Sequence, residues 1–341
     1  MALTVAGGPE ASANLNPKAR GLVEVYRELS PETLAKIESD SEAQRAFTRE
    51  MERRVASIPD SAAEFFLLIM SFREKGFCPD SRTAEYLADL TAAPFVDAVS
   101  VPGVLPTDVD SYFSYVDSFL DAFGSINHIP VLGYIPNFAH RDILKTVNFY
   151  LKKGVKDFVF EFNGHHAEVL YPNVQAVNRL LRRDVGEDFF IHGLNVGPGA
   201  FRRTQEITPS KDFLALLSGV DSIGAKHVRK KMPVRVWNRL SPDREKGRRL
   251  FARYDYGYYE PKIYAKDFGH RNEEGIISAG AVCRNPTASA VKLFNAERQA
   301  LETSVVRKHL SEGNLLEHAR TKSYLRAEVE RVAAEWKQQS L

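Results

Sequence analysis

The chain has 341 residues, 44% of them hydrophobic, with a formal net charge of +2 and two cysteines. That length fills one large barrel with additions, or two domains. So small a net charge names no partner, and Cys78 and Cys283, far apart in sequence, exclude a disulfide framework and suit a reducing, cytoplasmic setting. No apolar run is long enough to span a bilayer, so no membrane partner is expected. The N-terminal MALTVAGGPEASANLNPKA lacks a charged segment followed by an apolar one and reads as a tail rather than a signal.

From Lys18 to Ser57 the spacing predicts helices, with Leu22, Val25, Tyr26 and Leu29 on one face and a second start at Ser30-Pro31-Glu32. Phe65 to Met70 is a short apolar run that periodicity alone assigns neither to strand nor to buried helix. Then one unit recurs. Strands are expected at residues 95–101, 129–135, 155–162, 189–196 and 220–223, and helices at 108–123, 141–153, 173–183 and 209–218. Short strands alternating with helices imply parallel βαβ units with right-handed crossovers, and five in succession favour a closed barrel over an open sheet. The expected fold is therefore α/β, a (β/α)8 TIM-type barrel over residues 61–240. Residues 1–60 form an N-terminal tail with helices, and residues 241–341 a basic, tyrosine-rich and helical part.

Barrels of this kind keep their chemistry just past the C-terminal strand ends. The polar residues there are Ser100, Asn137, Glu161, Asn163, His165, His166, His192, Asn195, Asp221 and His227. Glu161, between two phenylalanines, would be desolvated if it points inward, which suits acid–base work; paired with an Arg or Lys it would be a plain buried carboxylate. Asp221 could be a nucleophile or a general base, or simply cap the next turn. The histidines with Glu161 suggest metal ligation, but no HxH or HExxH spacing is present and a metal is not expected. Asn163-Gly164 and Gly197-Pro198-Gly199 read as turns.

Residues 226–271 carry 14 Lys/Arg against 5 Asp/Glu, an excess of nine, interleaved with eight aromatics. Arg229, Lys230, Lys231, Arg235, Arg248 and Arg249 could hold phosphates while Tyr256 and its neighbours stack on bases; the alternative is a solvated basic face over core aromatics.

In order and spacing, residues 95–236, and more weakly as far as His309, resemble the tRNA-guanine transglycosylase superfamily. The likeness rests on IPVLGYIPNFAHRDILKTVNFYLKKGVKDFVFEFNG, FIHGLNVGPG and TPSKDFLALLSGVDSIG. The resemblance implies a (β/α)8 barrel, exchange or recognition of a guanine or 7-deazaguanine base in tRNA or DNA, and a carboxylate nucleophile. Gly224 stands where that nucleophile is expected, with Asp221 three residues earlier; Pro136-Asn137 replaces the base-reading glutamine, and Pro102-Gly103 the base-reading acid. Of the family's zinc ligands only Cys283 and His309 remain, so no structural zinc or other cofactor is expected. On this reading Asp221 attacks the sugar, and Glu161, Asn163 and Asn195 hydrogen-bond the base. Ser100, Asn137, His165, His192 and His227 line its pocket, and homodimerisation is left open. Two further readings stand beside it: a non-catalytic nucleic-acid binder, and an unrelated barrel enzyme on a small phosphorylated or carbonyl substrate.

Overall fold

A computed structural model describes residues 3–4, 21–58, 63–198, 206–224, 226–227, 248–269 and 275–339. Parallel strands run in the order β1 (Leu3–Thr4), β2 (Gly21–Leu29), β3 (Ala63–Lys75), β4 (Ala98–Ser100), β6 (Val131–Ile135), β7 (Phe158–Glu161), β8 (Ile191–Leu194) and β10 (Ser222–Ile223). β5 (Gly103–Leu105) pairs separately with β3. Apart from the two-residue β1, seven parallel strands among the described residues make a nearly closed TIM-type barrel. Helices α1 (Pro31–Ser39), α2 (Ser41–Ala56), α3 (Ser81–Thr91), α4 (Val109–Ile126), α5 (His140–Lys152) and α6 (Ala167–Val185) connect them. No helix among the described residues is long and apolar enough to cross a membrane.

Four of these six helices begin on a side-chain cap. Ser30, Asp40, Asp80 and Asp108 accept hydrogen bonds from first-turn amides of α1, α2, α3 and α4. Strand starts use aspartate in a recurrent way. Asp97, just before β4, donates its N–H to Phe66 O at 3.0 Å and accepts from Phe66 N at 2.7 Å. Asp221, just before β10, does the same with Ile191, at 2.9 and 2.8 Å. The sequence signature is Asp-Ala-Val and Asp-Ser-Ile.

The helical expectation for residues 18–57 holds for α1 and α2 and fails for 21–29, which form β2, paired along its length with β3. Two periods overlap here. Leu22, Val25, Tyr26 and Leu29 fit a helix face, but Leu22, Glu24, Tyr26 and Glu28 also alternate, and nine backbone pairings decide for the strand. Residues 63–75, around the ambiguous apolar run, are likewise strand. The helix expected over 209–218 shrinks to α7 (Leu214–Leu217), because β9 (Ile207–Pro209) pairs antiparallel with β12 (Gly257–Tyr259), which also pairs with β11 (Leu250–Ala252). Tertiary pairing overrides the Thr-Pro-Ser start signal there. The remaining helices are α8 (Pro261–Phe268), α9 (Ala279–Arg284), α10 (Ala288–Ser311), α11 (Leu315–Arg320) and α12 (Arg326–Gln339), of which α8 and α10 pack against β11 of this small sheet.

Candidate active site at the barrel mouth

In a barrel, alternate residues of each strand face inward, and residues paired across parallel strands face the same way. Gly133 faces outward, since a Cβ there would meet Tyr150 of α5 at 2.9 Å. Its neighbours Leu132 and Tyr134 therefore face inward, and the ladder carries this to Ser100 (opposite Leu132), Ala98, Leu67 (opposite Ala98) and Glu24 (opposite Leu67). By the same alternation Tyr26, Arg73, Glu161, His192 and Ser222 point inside. Barrel interiors are ordinarily filled with branched apolar residues; this one is polar towards its C-terminal end.

Glu161, the last residue of β7, is fully buried and sits at the hub of that end. Tyr134 donates to its Oε2 at 2.8 Å, Asn195 Nδ2 lies 3.1 Å from both oxygens, and Asn163 N–H donates to Oε1 at 2.5 Å. Arg73 stands 3.8 Å away. Burial pushes the carboxyl up from its ordinary value, while Arg73, Tyr134, Asn163 and Asn195 pull it back down. Burial keeps the Tyr134 hydroxyl protonated and donating, its pKa well above the usual value. With every acceptor position taken, Glu161 organises its neighbours rather than offering a free acid or base. Asn163 and Asn195 both have positive φ, 49° and 57°, which asparagine tolerates better than most residues. This aims their groups at Glu161.

Beside this hub, His227 joins β10 to β2. Its Nε2 lies 2.9 Å from Oε1 of the fully buried Glu24, and its ring stacks on Tyr26 at 3.7 Å between centroids. Its backbone N–H donates to Asn195 Oδ1 at 2.7 Å, so Asn195 links the two clusters. Arg73 in turn reaches Tyr26 OH at 3.3 Å. Deeper by two residues, His192 Nδ1 lies 2.8 Å from Ser222 Oγ, and burial drives its pKa down to about 4, leaving it neutral.

The structure thus brings Glu161, Asn163, Asn195, His192 and His227 to one end of the barrel. Asn137, Asn163 and His165 are exposed beyond the strand ends, and Ser100 is buried in the interior. Asp221 does not belong with them. It accepts from the first residue of β8, whereas Glu161 lies opposite the last. Three residues of strand, about 10 Å, separate the two levels. Asp221 is therefore a strand-start residue at the far end, which removes it as nucleophile.

Part of the basic flank is reassigned among the described residues, although Tyr254 stays exposed. Tyr256 is fully buried and donates to Glu302 at 2.8 Å; Arg249 is buried and paired with Glu260 at 3.1 Å; Arg248 donates to the Pro286 carbonyl. Phe251, Tyr258, Tyr259 and Tyr264 are buried too, so these rings are core and not a stacking surface. Arg229, Lys230, Lys231 and Arg235 lie outside the described residues. Cys283 packs in the smaller hydrophobic cluster, while His309 stacks on His318 at 4.2 Å. Among the described residues no group of three or more His, Cys, Asp and Glu is placed to hold a metal.

Sequence reasoning missed Glu24, Tyr26, Arg73 and Tyr134. The signal for the first two was the alternation Leu22, Glu24, Tyr26, Glu28, hidden by the competing helical spacing.

No family model matches the chain, and no curated protein matches it. Among solved structures, it is similar to the catalytic domain of CcCel6A in a point-mutant form, at 11% identity and a TM-score of 0.27. That match covers 61% of this chain and spans 64% of the length of the other, too slight a likeness to bear on the reaction.

Proposed function

We propose that the chain is a barrel enzyme that moves a proton on a small carbonyl-bearing substrate at the C-terminal mouth. His227 is the proton-transfer group and Glu24 the carboxylate behind it. What carries the reading is the 2.9 Å contact between His227 Nε2 and a carboxylate that is itself fully buried. A carboxylate on one ring nitrogen fixes the tautomer and strengthens the other nitrogen as a base. Stacking on Tyr26 and the Asn195 contact to its backbone hold the ring in place. The test is solvent deuterium incorporation into a panel of small keto and aldehyde compounds, read by mass spectrometry. Exchange by the wild type that His227→Gln loses supports the proposal; exchange equal in the two proteins rejects it.

A second reading, exchange or recognition of a (deaza)guanine base in tRNA or DNA, draws on the exposed Asn137 and Asn163, whose amides could meet a heterocycle edge at neighbouring strand ends. It requires a nucleophile other than Asp221. Salt-sensitive retention on a tRNA or DNA column, with a covalent adduct to nucleic acid, would favour it over proton transfer.

A further inference from the structure

The hydrogen bonds of the Arg73 guanidinium are incomplete. Its side chain is 16% exposed and faces the barrel interior near the mouth. Glu161, the nearest carboxylate, already receives Asn163 N–H, Asn195 Nδ2 and Tyr134 OH, and holds Arg73 only at 3.8 Å. Glu28 is farther, at 4.0 Å from Arg73 Nε, and half-exposed. Nε itself has no hydrogen-bond partner among the described residues. A desolvated guanidinium with unused donors is costly unless an anion completes it. Two more basic groups stand on the same rim. The stem of the exposed Lys226 lies over the Asn163-Gly164 turn, 3.1 Å from where a Gly164 Cβ would be, and His227 follows it in the chain.

We infer that Arg73, with Lys226 across the mouth, forms a subsite for the oxyanion of a small acid, a carboxylate or a phosphate. This names the substrate class of the site and rests on the proton-transfer reading only for its location. Tyr26 and Glu161 both lie beside Nη2, and Nε is buried, so in this proposal the anion takes the Nη1–Nη2 edge. Such a fork is the geometry in which Arg outperforms Lys. The substrate would be anchored by its anionic end and present its carbonyl to His227.

Isothermal titration calorimetry of the full-length protein with inorganic phosphate and, separately, malonate, at constant ionic strength, tests this. Saturable binding of at least one anion is expected, weakened at least about tenfold in Arg73→Met and by a smaller factor in Lys226→Met. Phosphate alone would identify a phosphate ester, malonate alone a carboxylic acid. Should Arg73→Met lose its circular dichroism spectrum, Arg73→Lys is read instead; it keeps the charge, loses the fork, and is expected to bind several-fold more weakly. The subsite is overturned if neither anion binds saturably, or if the folded Arg73 variant binds as the wild type does. Because no turnover is involved, that failure leaves the His227 proposal standing, and loss of deuterium exchange in His227→Gln bears only on the latter.

Discussion

His227 Nε2 lies 2.9 Å from Glu24 Oε1 across 203 residues of sequence. Glu24 is on β2, next to the two-residue end strand β1, and His227 follows β10, the other end of the strand path. The contact therefore does two things at once: it bridges β2 and β10 across the seam of the barrel and sets a carboxylate-backed imidazole at the mouth.

Glu24→Gln keeps the shape of the side chain and removes its charge. The His227 ring then loses the carboxylate that orients it, and deuterium exchange is expected to fall by about 10²-fold or more. The buried end of the pair loses a charge-assisted hydrogen bond, so urea unfolding should show a loss of about 1–3 kcal/mol. Intact exchange in Glu24→Gln would show that His227 acts without it.

Gly224 stands where the resemblance places a nucleophilic aspartate, and its lack of a side chain is a packing requirement here. A Cβ would lie 2.3 Å from Glu24 Oε2 and 3.0 Å from His192 Nε2. Gly224→Ala should displace Glu24 from His227, destabilise by about 1–3 kcal/mol and reduce exchange in parallel. Gly124, inside α4 with nothing within 4 Å of its Cβ position, is the contrast. Gly124→Ala should stabilise by about 0.5–1 kcal/mol without touching activity. Thermal unfolding of both variants decides; equal shifts would refute the packing account.

Two buried carboxyls outside the barrel should respond to pH with opposite sign. Burial raises Asp212 to about 6, against hydrogen bonds from Tyr258 at 2.6 Å and Gln299 at 3.4 Å. The folded state then holds the proton more tightly than the unfolded one. The stability this contributes is full below the ordinary value of 3.8 and is lost as pH rises to about 6. Glu302, although buried, is lowered to about 2 by His318, Lys322 and Tyr256. Its contribution is full above 4.5 and lost as pH falls towards about 2. Each spans roughly two pKa units, or about 3 kcal/mol. Urea midpoints against pH should show wild type losing ground to Asp212→Asn between about pH 4 and 6, and losing its advantage over Glu302→Gln only below about 4.5.

The barrel was legible because its cause is local and repeated. Apolar runs of strand length, each followed by an amphipathic helix, survive in the sequence as a rhythm, and β4, β6, β7 and β8 all fall inside their expected segments. β2 was not legible, because its inward residues Glu24, Tyr26 and Glu28 dilute the apolar alternation that marks a strand. They are polar because they line the mouth, so the same feature that makes the site conceals the element bearing it. Glu161 was found from a lone acid between phenylalanines, but its saturation by Tyr134, Asn163 and Asn195 depends on three elements meeting, which spacing does not encode. Of the two readings of the tyrosine-rich segment, core aromatics hold for Phe251, Tyr256, Tyr258, Tyr259 and Tyr264, and composition could not choose between them, because it does not distinguish rings on a surface from rings closing the core beneath β11 and β12.

Asp221 sharply separates a strand-start contact from the nucleophilic role that the resemblance implies for it. It and Asp97 make the same paired contact with the backbone of the preceding strand, N–H to carbonyl and carboxylate to N–H, just before the first residue of β10 and β4. Burial raises the Asp221 carboxyl somewhat while the Ile191 amide pulls it down, as expected for a group whose work is to accept that hydrogen bond. Asp221→Ala should therefore cost about 1 kcal/mol of stability, matched by a similar loss in Asp97→Ala. Deuterium exchange at the opposite end of the barrel should stay within about twofold of wild type, a change under 0.5 kcal/mol. A nucleophile would behave differently: Asp221→Ala would abolish turnover at near-constant stability, and Asp97→Ala would not. Measuring both variants for unfolding and exchange distinguishes a strand-start contact, in which the two aspartates act alike, from a catalytic one, in which only Asp221 matters.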